Sequence, residues 1–187
     1  APRLGPAGGG TLVNVSGTGF LARDRPTCRF GEASVPARVL SDTLAQCTAP
    51  PLHAAALDAS GGSSASALPD TTGVAVAVSN NGAEFVAASA EFTFVSATPR
   101  VARLEPATVA IGHEARVRVF GRHLARAQFC RFGDVVVRAR EHEADSVECA
   151  FGAAACARGA KAAVEVSLNG DDFSADRVPL ACEPAPV

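Results

Sequence analysis

The sequence predicts an all-β protein built as two Greek-key β-sandwiches in tandem, and three observations carry that prediction. Blocks of residues recur in the same order in the two halves of the 187-residue chain. Apolar and polar residues alternate over short stretches, the period of a strand with one buried face. Turn residues separate these stretches at regular intervals, and no segment sustains a helical period.

The repeat is the firmest of the three. Cys28-Arg29-Phe30-Gly31 recurs as Cys130-Arg131-Phe132-Gly133, and a second cysteine follows 19 residues later in each half, at Cys47 and Cys149. Upstream, Val13-Asn14-Val15-Ser16-Gly17 parallels Val117-Arg118-Val119-Phe120-Gly121. Downstream, the stretch from Val76 through Asn81-Gly82 to Phe85 parallels the stretch from Val164 through Asn169-Gly170 to Phe173. Four matched blocks in one order indicate duplication. The boundary falls at Ser96-Ala97-Thr98-Pro99, where the residue before proline is biased to extended backbone. The first domain is therefore expected over 1–96 and the second over 97–187. A joint this short is expected to hold them end to end as semi-rigid beads.

Each strand follows from its pattern. Val13 and Val15 alternate with Leu12, Asn14 and Ser16, and Val117 and Val119 alternate with Arg116 and Arg118. Val74, Val76 and Val78 repeat with period 2, as do Phe92 and Phe94. Phe30, Phe94, Phe132 and the valines are the expected core between two sheets. The Ala-rich runs 54–57 and 153–157 have length for one helical turn only. Asn81-Gly82 and Asn169-Gly170 read as hairpin turns of type I′, with positive φ at both central residues. The irregular stretch 52–73, rich in Ser, Ala and Gly, is the longest loop.

Composition narrows the function classes. Apolar residues make up 48% and charged residues 19%, so a core can form and a disordered chain is excluded. The net charge is -2 and Lys161 is the only lysine, which leaves no basic face for nucleic acid. No stretch approaches the ~20 apolar residues of a membrane helix. The first residue is not Met, and the chain is expected to start at an internal or processed position. Met, Trp and Tyr are all absent.

These blocks resemble the IPT/TIG family of immunoglobulin-like domains. The family pattern runs through Gly-Gly-Thr, alternating valines, Gly-x-x-Phe, Cys-x-Phe-Gly, Ser-x-Thr, Cys-x-x-Pro, Val-x-Val-Ser and Asn-Gly. The first half carries Gly5-Pro6, Gly9-Gly10-Thr11, Gly17-Thr18-Gly19-Phe20, the Cys28 block, Ser41-Asp42-Thr43, Cys47-Thr48-Ala49-Pro50 and Asn81-Gly82. The second carries Pro99, Leu104-x-Pro106, Gly112, Gly121-x-x-Leu124, the Cys130 block, Cys149 and Asn169-Gly170. It lacks the Gly-Gly-Thr and the proline after its second cysteine. The resemblance implies two tandem immunoglobulin-like Greek-key β-sandwiches. Members occur in receptors such as plexins, in ciliary and algal surface proteins, beside starch-acting enzymes and in Rel-type transcription factors. A shared fold does not pass on one activity.

The cysteines say most about compartment. Cys28 with Cys47 and Cys130 with Cys149 hold identical repeat positions, which favours one bridge within each domain, as in the surface-receptor branch of the family. Cys156 and Cys182 remain as a third pair. Aligning Phe85 with Phe173 places Cys182 opposite Phe94, so the second domain exchanges an aromatic contact for a cross-link. Buried thiols or a metal site are the alternatives, but no Cys-x-x-Cys occurs and no His stands at ligand spacing. Three pairs point to an oxidising, extracellular or cell-surface setting. Asn14-Val15-Ser16 is a sequon, and its valine neighbours turn Asn14 outward, where a glycan fits if the chain is exported.

No catalytic constellation is expected, and no cofactor or metal. His53, His113, His123 and His142 lie in no motif, and there is no Gly-x-Ser-x-Gly. Asn169, Asp171, Asp172 and Asp176 could supply oxygen ligands to Ca²⁺, but the first half has no matching cluster, and a solvated turn is the plainer reading. The expected function is a structural or adhesive module of a larger secreted or cell-surface protein, acting as spacer and protein-contact surface in a filament, stalk or receptor ectodomain. Its partners would be neighbouring domains, further copies of itself or another surface protein. No nucleic acid and no membrane insertion are expected. The alternative is an accessory carbohydrate-associated domain of an extracellular enzyme, although such domains usually stack sugars on Trp or Tyr. A Rel-like DNA-binding domain is disfavoured by charge and by the cysteines.

Overall fold

The computed structural model describes residues 2–22, 25–55, 70–140, 143–152, 156 and 161–184. The chain divides into two compact units, Ala1–Ala97 and Thr98–Val187. Each is an all-β sandwich, the fold class the sequence predicts.

The first unit contains β1 (Leu4–Pro6), β2 (Leu12–Ser16), β3 (Thr27–Phe30), β4 (Ala33–Ser41), β5 (Leu44–Thr48), a single helical turn α1 (Leu52–Ala55), β6 (Thr71–Ser79) and β7 (Val86–Val95). The hydrogen-bonded order is β1-β7-β6-β3-β4-β5-β2. The long strand β4 makes the sandwich. Its first half pairs with β3, from Phe30↔Ala33 to Thr27↔Pro36, and its second half pairs with β5, from Ala37↔Cys47 to Ser41↔Leu44. The chain thus crosses from one layer to the other within a single strand. β1 runs parallel to β7, and β2 runs antiparallel to β5.

Between the layers lie Phe30, Phe92 and Phe94, all essentially inaccessible. Phe92 meets Phe30 edge to face at 5.6 Å and Phe94 at 5.0 Å between centroids. Such pairs contribute about 0.5–1.5 kcal/mol each beyond the area they bury. Val74, Val76 and Val78 point inward from β6, as their period requires.

The second unit repeats this plan with β9 (Thr108–Ala110), β10 (Ala115–Arg122), β11 (Phe129–Phe132), β12 (Val135–Arg140), β13 (Ser146–Phe151), β14 (Lys161–Ser167) and β15 (Val178–Glu183). It adds β8 (Arg100–Glu105), which pairs antiparallel with β10 at the edge of the order β8-β10-β13-β12-β11-β14-β15-β9. The core holds Phe132 against Phe151, with Val117, Val119, Val147, Val164, Val166, Leu124 and Leu180 fully enclosed.

The structure corrects the turn type. At Asn81-Gly82 and Asn169-Gly170 only the glycines have positive φ, 74° and 88°. A type I′ turn needs both central residues there. The asparagine side chains account for the difference. Asn81 Oδ1 accepts from the backbone N–H of Ala83 and of Glu84, each at 3.0 Å, and Asn169 Oδ1 accepts from Asp171 and Asp172 at 3.0 and 2.9 Å. That local cap holds each asparagine in ordinary backbone and leaves the reversal to the glycine. The long loop is also shorter than expected, since α1 and β6 occupy its two ends; residues 56–69 lie outside the described residues. The helical turn Leu52–Ala55 takes in the start of the Ala-rich run 54–57, and residues 56–57, 153–155 and 157 of the two runs fall outside the described residues.

Candidate functional site

Three disulfides are present: Cys28–Cys47, Cys130–Cys149 and Cys156–Cys182. The first two join the facing layers through the middle of each sandwich, and their four cysteines are at most 1% exposed. The reason for their placement is register. Cys28 on β3 points inward beside Phe30, and Cys47 on β5 points inward beside Ala45, so the two side chains meet across the core. Cys130 and Cys149 repeat this on β11 and β13. Cys182 sits on β15 at the place that Phe94 takes on β7, and it reaches Cys156.

The strand arginine of each Cys-Arg-Phe-Gly block faces outward and covers an aromatic ring. The guanidinium of Arg29 stands 4.4 Å from the centroid of Phe85, and that of Arg131 stands 4.2 Å from Phe173. Both phenylalanines follow the Asn-Gly turn, so the repeated turn delivers the ring to the repeated arginine. In the second unit the cross-strand neighbour of Arg131 is Glu165, which is 6% exposed. Arg131 Nε donates to Glu165 Oε2 at 2.8 Å. The first unit has Ala77 at the matching position opposite Arg29. The sequence showed both the arginine and the phenylalanine recurring. What it lacked was the pairing of β3 with β6 and of β11 with β14.

Four further arginines of the second unit have partners of the same kinds. Arg103 covers Phe120 at 3.6 Å and pairs with Glu105, Arg138 covers Phe129 at 5.4 Å, Arg118 pairs with Glu143 at 3.1 Å, and Arg116 with Glu148 at 3.4 Å.

The acidic turn of the second unit is internally bonded. Asn169 Nδ2 donates to Asp172 Oδ2 at 2.8 Å, and Asp176 turns away to accept from the backbone N–H of Val101 at 2.8 Å and to pair with Arg100 at 3.3 Å. Among the described residues no three His, Cys, Asp or Glu side chains converge as a metal group. His53, His113 and His123 are exposed and scattered, and His142 lies outside the described residues.

Asn14 lies on β2, half-buried, between buried Val13 and half-buried Val15. Its Oδ1 accepts from Gln46 Nε2 at 3.1 Å on the neighbouring strand. Beside β2 runs a groove of about 770 Å³. It is lined by residues 13–20, by residues 86–92, and by Val76 and Val78 among others.

The family model of the IPT/TIG domain matches residues 1–94. A search of curated protein sequences finds no match. Among solved structures, the full extracellular region of plexin A4 (domains 1 to 10) is 17% identical with a TM-score of 0.56, over 100% of this chain and 16% of that one. A second structure of the plexin A4 extracellular region, with domains 1 to 8, is 13% identical with a TM-score of 0.46, over 97% of this chain and 17% of that one. The SGBP-B protein of a Bacteroides ovatus mixed-linkage glucan utilization locus, in complex with a mixed-linkage heptasaccharide, is 8% identical with a TM-score of 0.32, over 97% and 43%. The first likeness speaks to the fold alone, and the chain spans only 16% of the length of that ectodomain.

Proposed function

The chain belongs to the IPT/TIG domain family, and from that premise we propose that it is a non-catalytic structural and adhesive module of a larger secreted or cell-surface protein. One observation carries the reading. Each unit encloses a disulfide at the same repeat position, between cysteines at most 1% exposed. Such bonds form and persist in oxidising compartments, outside the cytosol. The module acts as spacer and contact surface, and the second unit serves as a further IPT/TIG-like domain. Its partners are neighbouring domains, further copies of the chain or another surface protein, met through strand edges and turns.

The non-catalytic part of the reading is supported by the way polar side chains are used. Arginines stack on phenylalanines or meet carboxylates, and the asparagines of the turns cap their own backbone. The carbohydrate alternative has less support. Of the half-buried rings such a surface would use, Phe85, Phe120, Phe129 and Phe173 each have a guanidinium over them, which leaves Phe20 beside the groove.

The test is topological. An epitope placed beside this segment in the parent protein is stained on intact cells or recovered from the medium. Staining that appears only after the membrane is permeabilised contradicts the extracellular reading. A glycan array probed with the 187-residue chain is expected to show no specific signal; saturable binding to one class of glycan selects the alternative.

A further inference from the structure

The two Asn-Gly turns carry the same reactive dipeptide and are held differently. In each, the asparagine Oδ1 takes three donors. Two are backbone N–H groups, and the third is the hydroxyl of the serine two residues before, Ser79 at 2.9 Å from Asn81 and Ser167 at 3.1 Å from Asn169. Donors on a carbonyl oxygen draw charge from its carbon and stabilise the oxyanion that forms when the carbon is attacked. The side-chain carbonyl of both asparagines is thus a polarised electrophile. The backbone nitrogen of the next residue is a nucleophile one bond along the chain, and glycine has no Cβ to crowd its approach.

The second unit ties down the other two parties to such a reaction. The nucleophile is held, because Gly170 N–H donates to Ser167 Oγ at 2.9 Å. The leaving group is held, because Asn169 Nδ2 donates to Asp172 Oδ2 at 2.8 Å. Gly170 is also half-buried against the Phe129 ring, where an added Cβ would meet ring atoms at 3.3 to 3.4 Å. The first unit lacks these restraints. Asn81 and Gly82 are exposed, and neither Gly82 N–H nor Asn81 Nδ2 has a hydrogen-bond partner among the described residues. Glu84 stands at the place of Asp172, but it meets Asn81 only through its backbone N–H.

We propose that Asn81-Gly82 is a self-modification site, which converts to aspartate and isoaspartate while Asn169-Gly170 is kept intact by its own hydrogen bonds. Gly82 N attacks Asn81 Cγ. The N–Cγ bond forms, the Cγ–Nδ2 bond breaks, and ammonia leaves with the proton from Gly82 N–H. Water then opens the resulting cyclic imide. Opening at Cγ restores the main chain with an aspartate at this position. Opening at the main-chain carbonyl leaves isoaspartate, whose Cβ and Cγ now lie in the main chain. The first product keeps an oxygen that caps Ala83 and Glu84. The second lengthens the turn that delivers Phe85 to Arg29. Either one adds a negative charge beside Glu84. The conversion alters one of the two repeated turns and spares the other.

The test incubates the full chain, disulfides intact, in mildly alkaline buffer, where the attacking amide loses its proton more readily. Peptide mass mapping and an isoaspartate-specific methyltransferase assay follow both dipeptides. Asn81 is expected to convert at least about tenfold faster than Asn169, the effect of the two hydrogen bonds that restrain the second turn. In the reduced, urea-unfolded chain the two rates are expected to converge. Asp172→Ala releases the leaving group and is expected to speed Asn169 several-fold while Asn81 keeps its rate. Asp172→Asn retains an acceptor oxygen and is expected to leave Asn169 slow. Equal rates in the folded chain, faster conversion of Asn169, or an Asn81 that survives where the unfolded chain converts overturns the proposal. An unchanged Asn169 rate in Asp172→Ala overturns the restraint assigned to that carboxylate.

Discussion

Arg131 holds Phe173 and Glu165 together: its guanidinium stands 4.2 Å from the ring centroid while Nε donates to the buried carboxylate at 2.8 Å. Arg29 makes only the first of these contacts, at 4.4 Å from Phe85, because Ala77 stands where Glu165 would be. The two arginines therefore separate a stacking interaction from a stacking interaction with a buried ion pair.

Arg29→Ala is expected to cost about 0.5–1 kcal/mol, the range for cation–π contacts at exposed sites. Arg131→Ala is expected to cost about 2–3 kcal/mol, because it also leaves Glu165 buried without its main partner. Arg177, 3.8 Å from Glu165, offsets part of that loss. The double change Arg131→Leu with Glu165→Leu is expected to recover most of the stability. Urea melts of the four proteins check this, and equal costs for the two single arginine variants contradict it.

The turns give a second prediction. Asn81→Ala and Asn169→Ala each remove an oxygen that accepts two backbone N–H groups, and each is expected to cost about 1 kcal/mol. Calcium is expected to leave the melting temperature of the second unit unchanged, since Asn169 and Asp172 bond each other and Asp176 is held at Val101. A rise in melting temperature at millimolar Ca²⁺ would contradict this.

How much of this was legible beforehand depends on the range of the contacts. The sandwich, its duplication and the cysteine positions were readable, because period, spacing and turn residues are local. Asp176 was not: its partner Val101 is 75 residues away, and only the seating of β8 brings them together. The Arg–Phe pairs were half-readable, both members recurring but their strands unpaired in the sequence. The turn type was misread because an asparagine can reverse the chain by its own positive φ or by capping, and the dipeptide alone does not say which. Val15 was expected inside with Val13; it is half-buried and lines the groove.

Asn14 gives a third prediction, resting on the proposed export. In a secretory host the chain is expected to carry one N-glycan, removed by Asn14→Gln or by Ser16→Ala. The Asn14–Gln46 hydrogen bond must open for the sugar to attach, so Gln46→Ala is expected to raise occupancy. Intact-mass measurement reads all three. An unmodified wild-type chain from that host would falsify the site.

The cross-links give a fourth. Replacing Cys28 and Cys47 together by Ala opens a loop closed over a separation of 19 residues and is expected to cost about 3 kcal/mol, or roughly 10–20 °C in the melting of the first unit. Cys156→Ala with Cys182→Ala is expected to lower only the second transition. Calorimetry separates them; a change confined to the wrong transition contradicts the assignment.

Non-reducing peptide mapping of the native protein tests the proposed export of this disulfide-locked pair of sandwiches most directly. The expected result is three linked peptide pairs, Cys28 with Cys47, Cys130 with Cys149 and Cys156 with Cys182, and no alkylated thiol. Alkylation of Cys28 and Cys47 in protein denatured without reductant would contradict both the pairing and the extracellular setting.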